Sequence, residues 1–456
     1  MGPNYYPPAE LFPTHFSAKS KTFDKKTKET NFWYASLTDP IMIELIQQAL
    51  YGCNLDIQKS LALLRQSRAE LGVANAAFFP QINASGRLAR DHFSQNSEFL
   101  SAFPPGSIPL TYTDYKFGFD ASWEIDIFGH TRRTVEAARA QFQSNIEKQR
   151  NIAIAVAAEV ARVYTQYRVY QQRIIIVNNA IHSFEETAKL VKLQINAGSA
   201  TGVDLARIES ELYATQSALP SLQANAKSSL ASLAVLVGEL PEDLFRQLDR
   251  TSPIPKINPK IIHIGLPSDL LIRRPDIRMA ERNLAAATAN IGVAVSNMFP
   301  RFQLVGDLGF DTTKPGTYFQ QASRYWNIGP QFSLPIFTGG KLKNAVKAQE
   351  AIRDAALASY KQTILKALAD VESSIIHFDN DRIKRQRLFT AYRKLASAQK
   401  LLRLQYRNGQ STLLDVLDAE RQMYLIQDQY VQSEGQVTID LVSLYKSLGG
   451  DWVTTC

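Results

Sequence analysis

The chain has 456 residues, room for two or three globular domains or one large elongated one, and its 51 Lys and Arg against 43 Asp and Glu leave a net charge of +8. That basic excess is mild and no dense Lys/Arg block is interleaved with aromatics, so a nucleic-acid partner is not expected. Two cysteines, Cys53 and Cys456, make neither a disulfide framework nor a metal-binding spacing, and no apolar run reaches the ~18 residues of a membrane-spanning helix.

Residues 1–37, rich in proline, lysine and polar side chains, read as an extended N-terminal arm. They lack the charged start and apolar stretch of an export signal, so the chain reads as cytosolic or as a mature form, and its opening residues favour the second. Thr38-Asp39-Pro40 predicts a helix start with Asp39 as cap and Pro40 in the first turn, the helix running to about Tyr51. Asp56 is the expected cap of a second helix, whose apolar stripe is Ile57, Leu61, Leu64, Leu71, Ala74 and Phe78. From Gln81 the period changes to two: Ile82, Ala84, Gly86 and Leu88 alternate with Asn83, Ser85 and Arg87. After a loop with Pro104-Pro105-Gly106, a clearer strand sets Tyr115, Phe117, Phe119, Ala121, Trp123, Ile125 and Ile127 against Lys116, Asp120, Glu124 and Asp126.

Thr131 to Ala197 contains no glycine or proline. As one helix it would run on the order of 100 Å and would need a partner of similar length. It stops at Gly198 in the turn-like stretch NAGSATG, and a return helix leads from about Thr201 to Val237 with Pro220 as an expected kink. Residues 239–267, with Pro253, Pro255 and Pro259, read as a connector.

The order then recurs. Residues 276–311 align with 56–91 without a gap at a shift of 220, and a strand follows with Phe302, Leu304, Leu308 and Phe310 on its apolar side. Another strand carries Trp326, Ile328, Phe332, Leu334 and Ile336. Lys341 to Asn408 is a second run free of glycine and proline, ending at Gly409. At a shift of 211 its hairpin matches the first: Gly198 with Gly409, Thr201 with Thr412, Asp204 with Asp415, Glu209 with Glu420 and Tyr213 with Tyr424. The expected organisation is an internal duplication, with repeats at 38–238 and 268–450 and a short tail at 451–456.

Four strands with one wet and one aromatic-rich face cannot close a barrel alone, and an open sheet in lipid would leave edge N–H and C=O groups unpaired. Two copies would pool eight strands and three would pool twelve. The water-soluble alternative is a β-sandwich, or a coiled-coil scaffold, but a sandwich leaves the two very long helices unexplained. The fold class is therefore an α+β membrane protein: an internally duplicated, long α-helical coiled-coil barrel plus four β-strands per chain that complete a transmembrane β-barrel with neighbouring copies. Tyr115, Phe117, Phe119, Trp123, Phe302, Phe310, Trp326 and Phe332 are the expected membrane-facing side chains.

The block GLPSDLLIRRPDIRMAERNLAAATANIGVAVSNMFP, Gly265 to Pro300, resembles the signature of the TolC-like outer-membrane factors, in particular the NodT/OprM-like efflux lipoproteins. Gly2-Pro3-Asn4-Tyr5, Trp123-Glu124-Ile125-Asp126-Ile127-Phe128-Gly129, Leu417-Asp418-Ala419-Glu420-Arg421 and Leu448-Gly449-Gly450-Asp451-Trp452 add to the likeness. The resemblance implies a homotrimer with a 12-stranded barrel in the outer membrane and a helical tunnel in the periplasm. It implies docking to a periplasmic membrane-fusion adaptor and an inner-membrane pump of the resistance-nodulation-division type, and passive export of drugs or other small toxic compounds. A protein-secretion duct is the sister reading within the family. Members carry a lipidated cysteine just before the Gly-Pro opening; Met1 stands there, so the expectation is a chain from which signal and anchor were removed.

No nucleophile and base pair, metal cluster or phosphate loop stands out, and the six histidines fall singly, so neither catalysis nor a cofactor or metal is expected. The informative places are the hairpin turns. Thr201 with Asp204, and Thr412 with Asp415, have capping-box spacing, but Asp415 and Asp418 also share one helix face, where like charges cost stability. The resemblance places the periplasmic gate here: Asp415 and Asp418 match its aspartate rings, Leu414 lies near the constriction, and Tyr406 and Asp204 match partners whose links hold it shut. Arg407 is an expected partner of one of these carboxylates, and Ser411 stands where some members have an arginine. The loops at about Ser94 to Pro109 and Asp311 to Ser323 are expected to face outward.

Overall fold

The computed structural model describes residues 1–8, 39–94, 96, 103–104, 106–107, 109–256 and 270–450. Most of the expected arm, much of the loop after Ser94, the end of the connector, Gly265 to Asp269 and the tail with Trp452 and Cys456 lie outside the described residues.

Helix α1 (Pro40–Gln48) starts as its sequence predicts, with the Asp39 carboxylate accepting from the backbone N–H of Ile41 at 3.0 Å and of Met42 at 3.3 Å. It widens into a π-type turn, Ala49–Cys53, before α2 (Leu55–Ala76). The cap of α2 corrects the expectation. Asn54, not Asp56, accepts from the N–H of Asp56 and Ile57 at 2.9 and 3.0 Å, and Asp56 lies in the first turn where its charge meets the helix dipole. Of the expected stripe Ile57 is buried, while Leu61 and Phe78 are exposed.

Four strands form one antiparallel sheet in the order β1 (Gln81–His92), β2 (Thr111–Ile125), β3 (Arg301–Thr312), β4 (Arg324–Ser333). Strands from the two halves of the chain meet at its centre, with Phe117 opposite Phe310 and Trp123 opposite Leu304. The register places Tyr115, Phe117, Phe119, Trp123, Phe302, Phe310, Trp326 and Phe332 on one face, since Leu88 pairs with Tyr115, Phe302 with Phe332 and Leu308 with Trp326. Across the other face Asn83, Asp120, Asp307 and Asn327 form a continuous row. The apolar face is bare: Trp326 is 77% and Phe332 69% exposed, and no second sheet covers it among the described residues, which removes the sandwich alternative. Strand β4 ends before Leu334 and Ile336, contrary to expectation, because Pro335 has no N–H for the ladder and restricts the residue before it. On the polar face Gly118 pairs with Gly309 beneath the Tyr325 hydroxyl, and a Cβ at Gly118 would stand 2.7 Å from the Leu308 carbonyl oxygen.

Helices α3 (His130–Asn196) and α4 (Gly202–Val237) make the first hairpin, α4 running on through Pro220. The connector is not wholly irregular. It contains α5 (Pro241–Leu248), with Pro241 in its first turn and Leu244 and Leu248 buried. After α6 (Leu270–Arg273) and α7 (Pro275–Ser296), the second hairpin consists of α8 (Lys341–Arg407) and α9 (Leu413–Ser447). Both long helices have 67 residues and both α2 and α7 have 22.

The described residues fall into two compact units. The first takes Met1–Pro8, Arg65–Ser144 and Ala280–Ser359 and holds the sheet. Here the opening residues are docked: the Met1 amine donates to the Phe128 carbonyl at 3.0 Å, Arg133 donates to Asn4 Oδ1 at 2.6 Å, and the Tyr5 hydroxyl donates to Glu281 at 2.9 Å. The second unit takes the described residues of 39–64, 145–279 and 360–450. Its core includes a buried cation, Arg168, 1% exposed, which donates to the Arg250 carbonyl at 2.8 Å, to Gln171 at 2.7 Å and to the Tyr164 hydroxyl at 3.0 Å. Tyr164 in turn donates to Asp39 at 2.9 Å, so the cap of α1 and the chain leaving α5 are both tied to α3.

Candidate functional site: the hairpin turns

The two hairpins turn in the same way. Gly198 and Gly409 take positive φ, 71° and 75°, where a side chain would be strained. The next N–H reaches back five residues, Ser199 to Gln194 and Gln410 to Gln405, both at 2.8 Å, satisfying carbonyls the helix ends would otherwise leave open. Each return helix then begins with a capping box. Thr201 Oγ1 donates to Asp204 at 2.7 Å while Asp204 accepts from the Thr201 N–H at 3.0 Å. Thr412 Oγ1 donates to Asp415 at 2.6 Å and its N–H at 3.1 Å. These threonine hydrogen bonds hold both carboxyls below the usual aspartate range.

Asp415 is thus, like Asp204, the third residue of a capping box whose cap is the threonine. The Ser411 hydroxyl lies 3.4 Å from the same carboxylate oxygen. Asp418 has its own partners, Arg421 at 2.9 Å and Gln422 at 2.8 Å, which lowers the cost of two carboxylates on one face. Leu414 is 56% exposed, whereas its neighbours Leu413 and Leu417 are buried with Phe184, Val191 and Ile208. Tyr406 packs against that cluster and donates to Gln194 at 2.8 Å, so within the chain its partner is Gln194 and not Asp204. Arg407 makes no ion pair among the described residues.

The structure also brings in residues that motif reading passed over. Glu420 is fully buried, 3.2 Å from Arg403 and 3.0 Å from Gln399, and Arg403 donates to Ser183 at 2.6 Å. A signal was available: Lys192 and Glu209 precede Arg403 and Glu420 by the same 211 residues that relate the two turns. Among the described residues no group of three or more His, Cys, Asp or Glu could hold a metal ion, and no helix is long and apolar enough to cross a membrane.

Comparison with known proteins gives this geometry its context. The family description "Outer membrane efflux protein" matches residues 45–239 and 266–450. Nodulation protein T of Rhizobium leguminosarum bv. viciae is 30% identical over 99% of this chain and 90% of its own length. The toluene efflux pump outer membrane protein TtgF of Pseudomonas putida is 30% identical over 92% of this chain and 85% of its own. Among solved structures, the outer-membrane channel OprN is 31% identical, superposes with a TM-score of 0.89 and is covered, like this chain, to 99%. The chain belongs to the outer membrane efflux protein family and is a non-enzymatic efflux channel of the bacterial outer membrane.

Proposed function

We propose that three copies of this chain close a twelve-stranded barrel in the outer membrane and form the passive exit duct of a tripartite efflux system. The observation that carries this reading is the open sheet: four strands whose outer edges are unpaired among the described residues, with a bare aromatic face, stable in lipid only if neighbours complete the ladder. Strands of 10 to 15 residues are long enough to cross the bilayer at a tilt. The eight aromatic side chains of the apolar face meet lipid, and Trp123, whose indole donates to the Phe78 carbonyl at 2.9 Å, sits in the interfacial belt.

The similarity of this chain to the outer membrane protein of a toluene efflux pump supports cargo of small toxic compounds or drugs. That relative belongs to a pump, which supports a pump partner for this chain; the partners proposed are those the sequence resemblance implies, a periplasmic membrane-fusion adaptor and an inner-membrane pump of the resistance-nodulation-division type. The repeats at 38–238 and 268–450 each contribute two strands and one hairpin. Around a three-fold axis Asp415 and Asp418 become carboxylate rings at the periplasmic constriction, with Leu414 beside them, while Tyr406, Asp204 and Arg407 stabilise the closed turn.

Two measurements test this. The mass of the detergent-solubilised particle is expected to correspond to three chains; a monomer would overturn the barrel. In planar bilayers Asp415→Ala with Asp418→Ala is expected to relieve block by multivalent cations; block that persists removes these carboxylates from the pore.

A further inference from the structure

The second hairpin carries, close to its turn, a charge pair that the gate residues do not account for. Glu420 of α9 is 0% exposed; its Oε1 accepts from Gln399 at 3.0 Å and lies 3.2 Å from Arg403 Nη2, while its Oε2 is buried without a partner. The same Nη2 donates to Ser183 Oγ of α3 at 2.6 Å. One guanidinium therefore joins three helices. Glu420 stands five residues beyond Asp415, about 7.5 Å along the helix. Gln399, Arg403 and Tyr406 follow the i, i+4, i+7 spacing of one face of α8, and Tyr406 extends the row to Gln194.

The first hairpin supplies an internal control. Lys192 Nζ lies 3.0 Å from Glu209, each residue 211 before its counterpart, but these side chains are 57% and 36% exposed against 34% and 0% for Arg403 and Glu420. A solvated pair of that kind contributes little, whereas a buried carboxylate with one oxygen unsatisfied is tolerated only where its partners hold it in place. Arg403 Nη2 has two N–H donors in the fixed plane of the guanidinium, one for each acceptor, whereas lysine would present its donors from a rotating ammonium on a flexible stem.

We propose that Arg403 and Glu420 are positioning residues of the gate: a buried strut that holds the first turns of α9, with Asp415 and Asp418, against α3 in the closed channel. This rests on the reading of the hairpin turns as the gate. In planar bilayers Glu420→Gln, which leaves Arg403 without its counter-charge, is expected to raise the open fraction of the purified channel by about tenfold. Arg403→Met is expected to do the same, and the double variant no more than either. Lys192→Met and Glu209→Gln are expected to stay within about twofold of the parent. Arg403→Lys, at a partly exposed side chain that keeps its charge, is expected to give an intermediate rise and decides alone if Glu420→Gln does not assemble.

Assembled Arg403→Lys and Glu420→Gln channels with the parent's open fraction would overturn the strut, as would an additive double variant. If Asp415→Ala with Asp418→Ala changes cation block while these variants change nothing, the strut alone falls. If neither set has an effect, the gate itself is misplaced.

Discussion

The Tyr406 hydroxyl donates to Gln194 Oε1 at 2.8 Å and so ties the outgoing helix of one hairpin to the outgoing helix of the other. Asp204, the expected partner, is taken up by its own cap. Tyr406→Phe and Gln194→Leu are therefore expected to raise resting conductance in planar bilayers by about fivefold each, the worth of one neutral hydrogen bond, and to be no stronger together. Asp204→Ala should add to Tyr406→Phe independently. Non-additivity of that second pair would instead join Asp204 to Tyr406.

The capping boxes carry a pH dependence of defined sign. Thr201 and Thr412 hold Asp204 and Asp415 below their ordinary value of 3.8, so the folded turns bind protons less readily than the unfolded chain. Their stabilisation is complete above that value and is lost as pH falls through the lower folded values. The protection factor at the two turns, exchange measured relative to its intrinsic rate at each pH, is expected to be constant from neutral pH down to about 5 and to fall below about 4. Thr201→Ala or Thr412→Ala should loosen the corresponding turn by about fivefold at neutral pH. An unchanged exchange rate in either variant would show that the caps do not hold the turns.

Opposite faces of β4 are expected to respond oppositely to the same charge. Trp326→Lys, well away from the interfacial level of Trp123, places an ammonium on the lipid side and is expected to cost about 2–4 kcal/mol. Asn327→Lys, on the other face, should stay within about 0.5 kcal/mol. Denaturant unfolding of the reconstituted channel measures both, and equal losses would contradict the assignment of faces.

Arg168 should be among the most sensitive positions of the second unit. Arg168→Met strips donors from the Arg250 carbonyl, Gln171 and Tyr164 inside the core, at an expected cost of about 3 kcal/mol. Tyr164→Phe, which loses the bond to Asp39 and one of the acceptors of Arg168, should cost about 2 kcal/mol. Thermal unfolding that ranked these two in the reverse order would show that the cation is not what holds α5 to α3.

The amino-acid sequence by itself determined the duplication, both hairpins, their capping boxes and the alternation of the strands, because each depends on spacing over a few residues: glycine at a positive-φ turn, threonine three before aspartate, apolar side chains at every second position. It also determined that the aromatic side chains gather on one face of the sheet, since strict alternation leaves a strand no other choice, but that this face is bare was decided by the tertiary structure. Tertiary structure alone decided the rest. Which of Asn54 and Asp56 caps α2 depends on where the chain bends, and where Tyr406 donates depends on which helix packs against it. Glu209 and Glu420 stand at equivalent places in the two repeats, yet only the second is enclosed, because burial is a property of the neighbours that surround a side chain and not of its position along the helix.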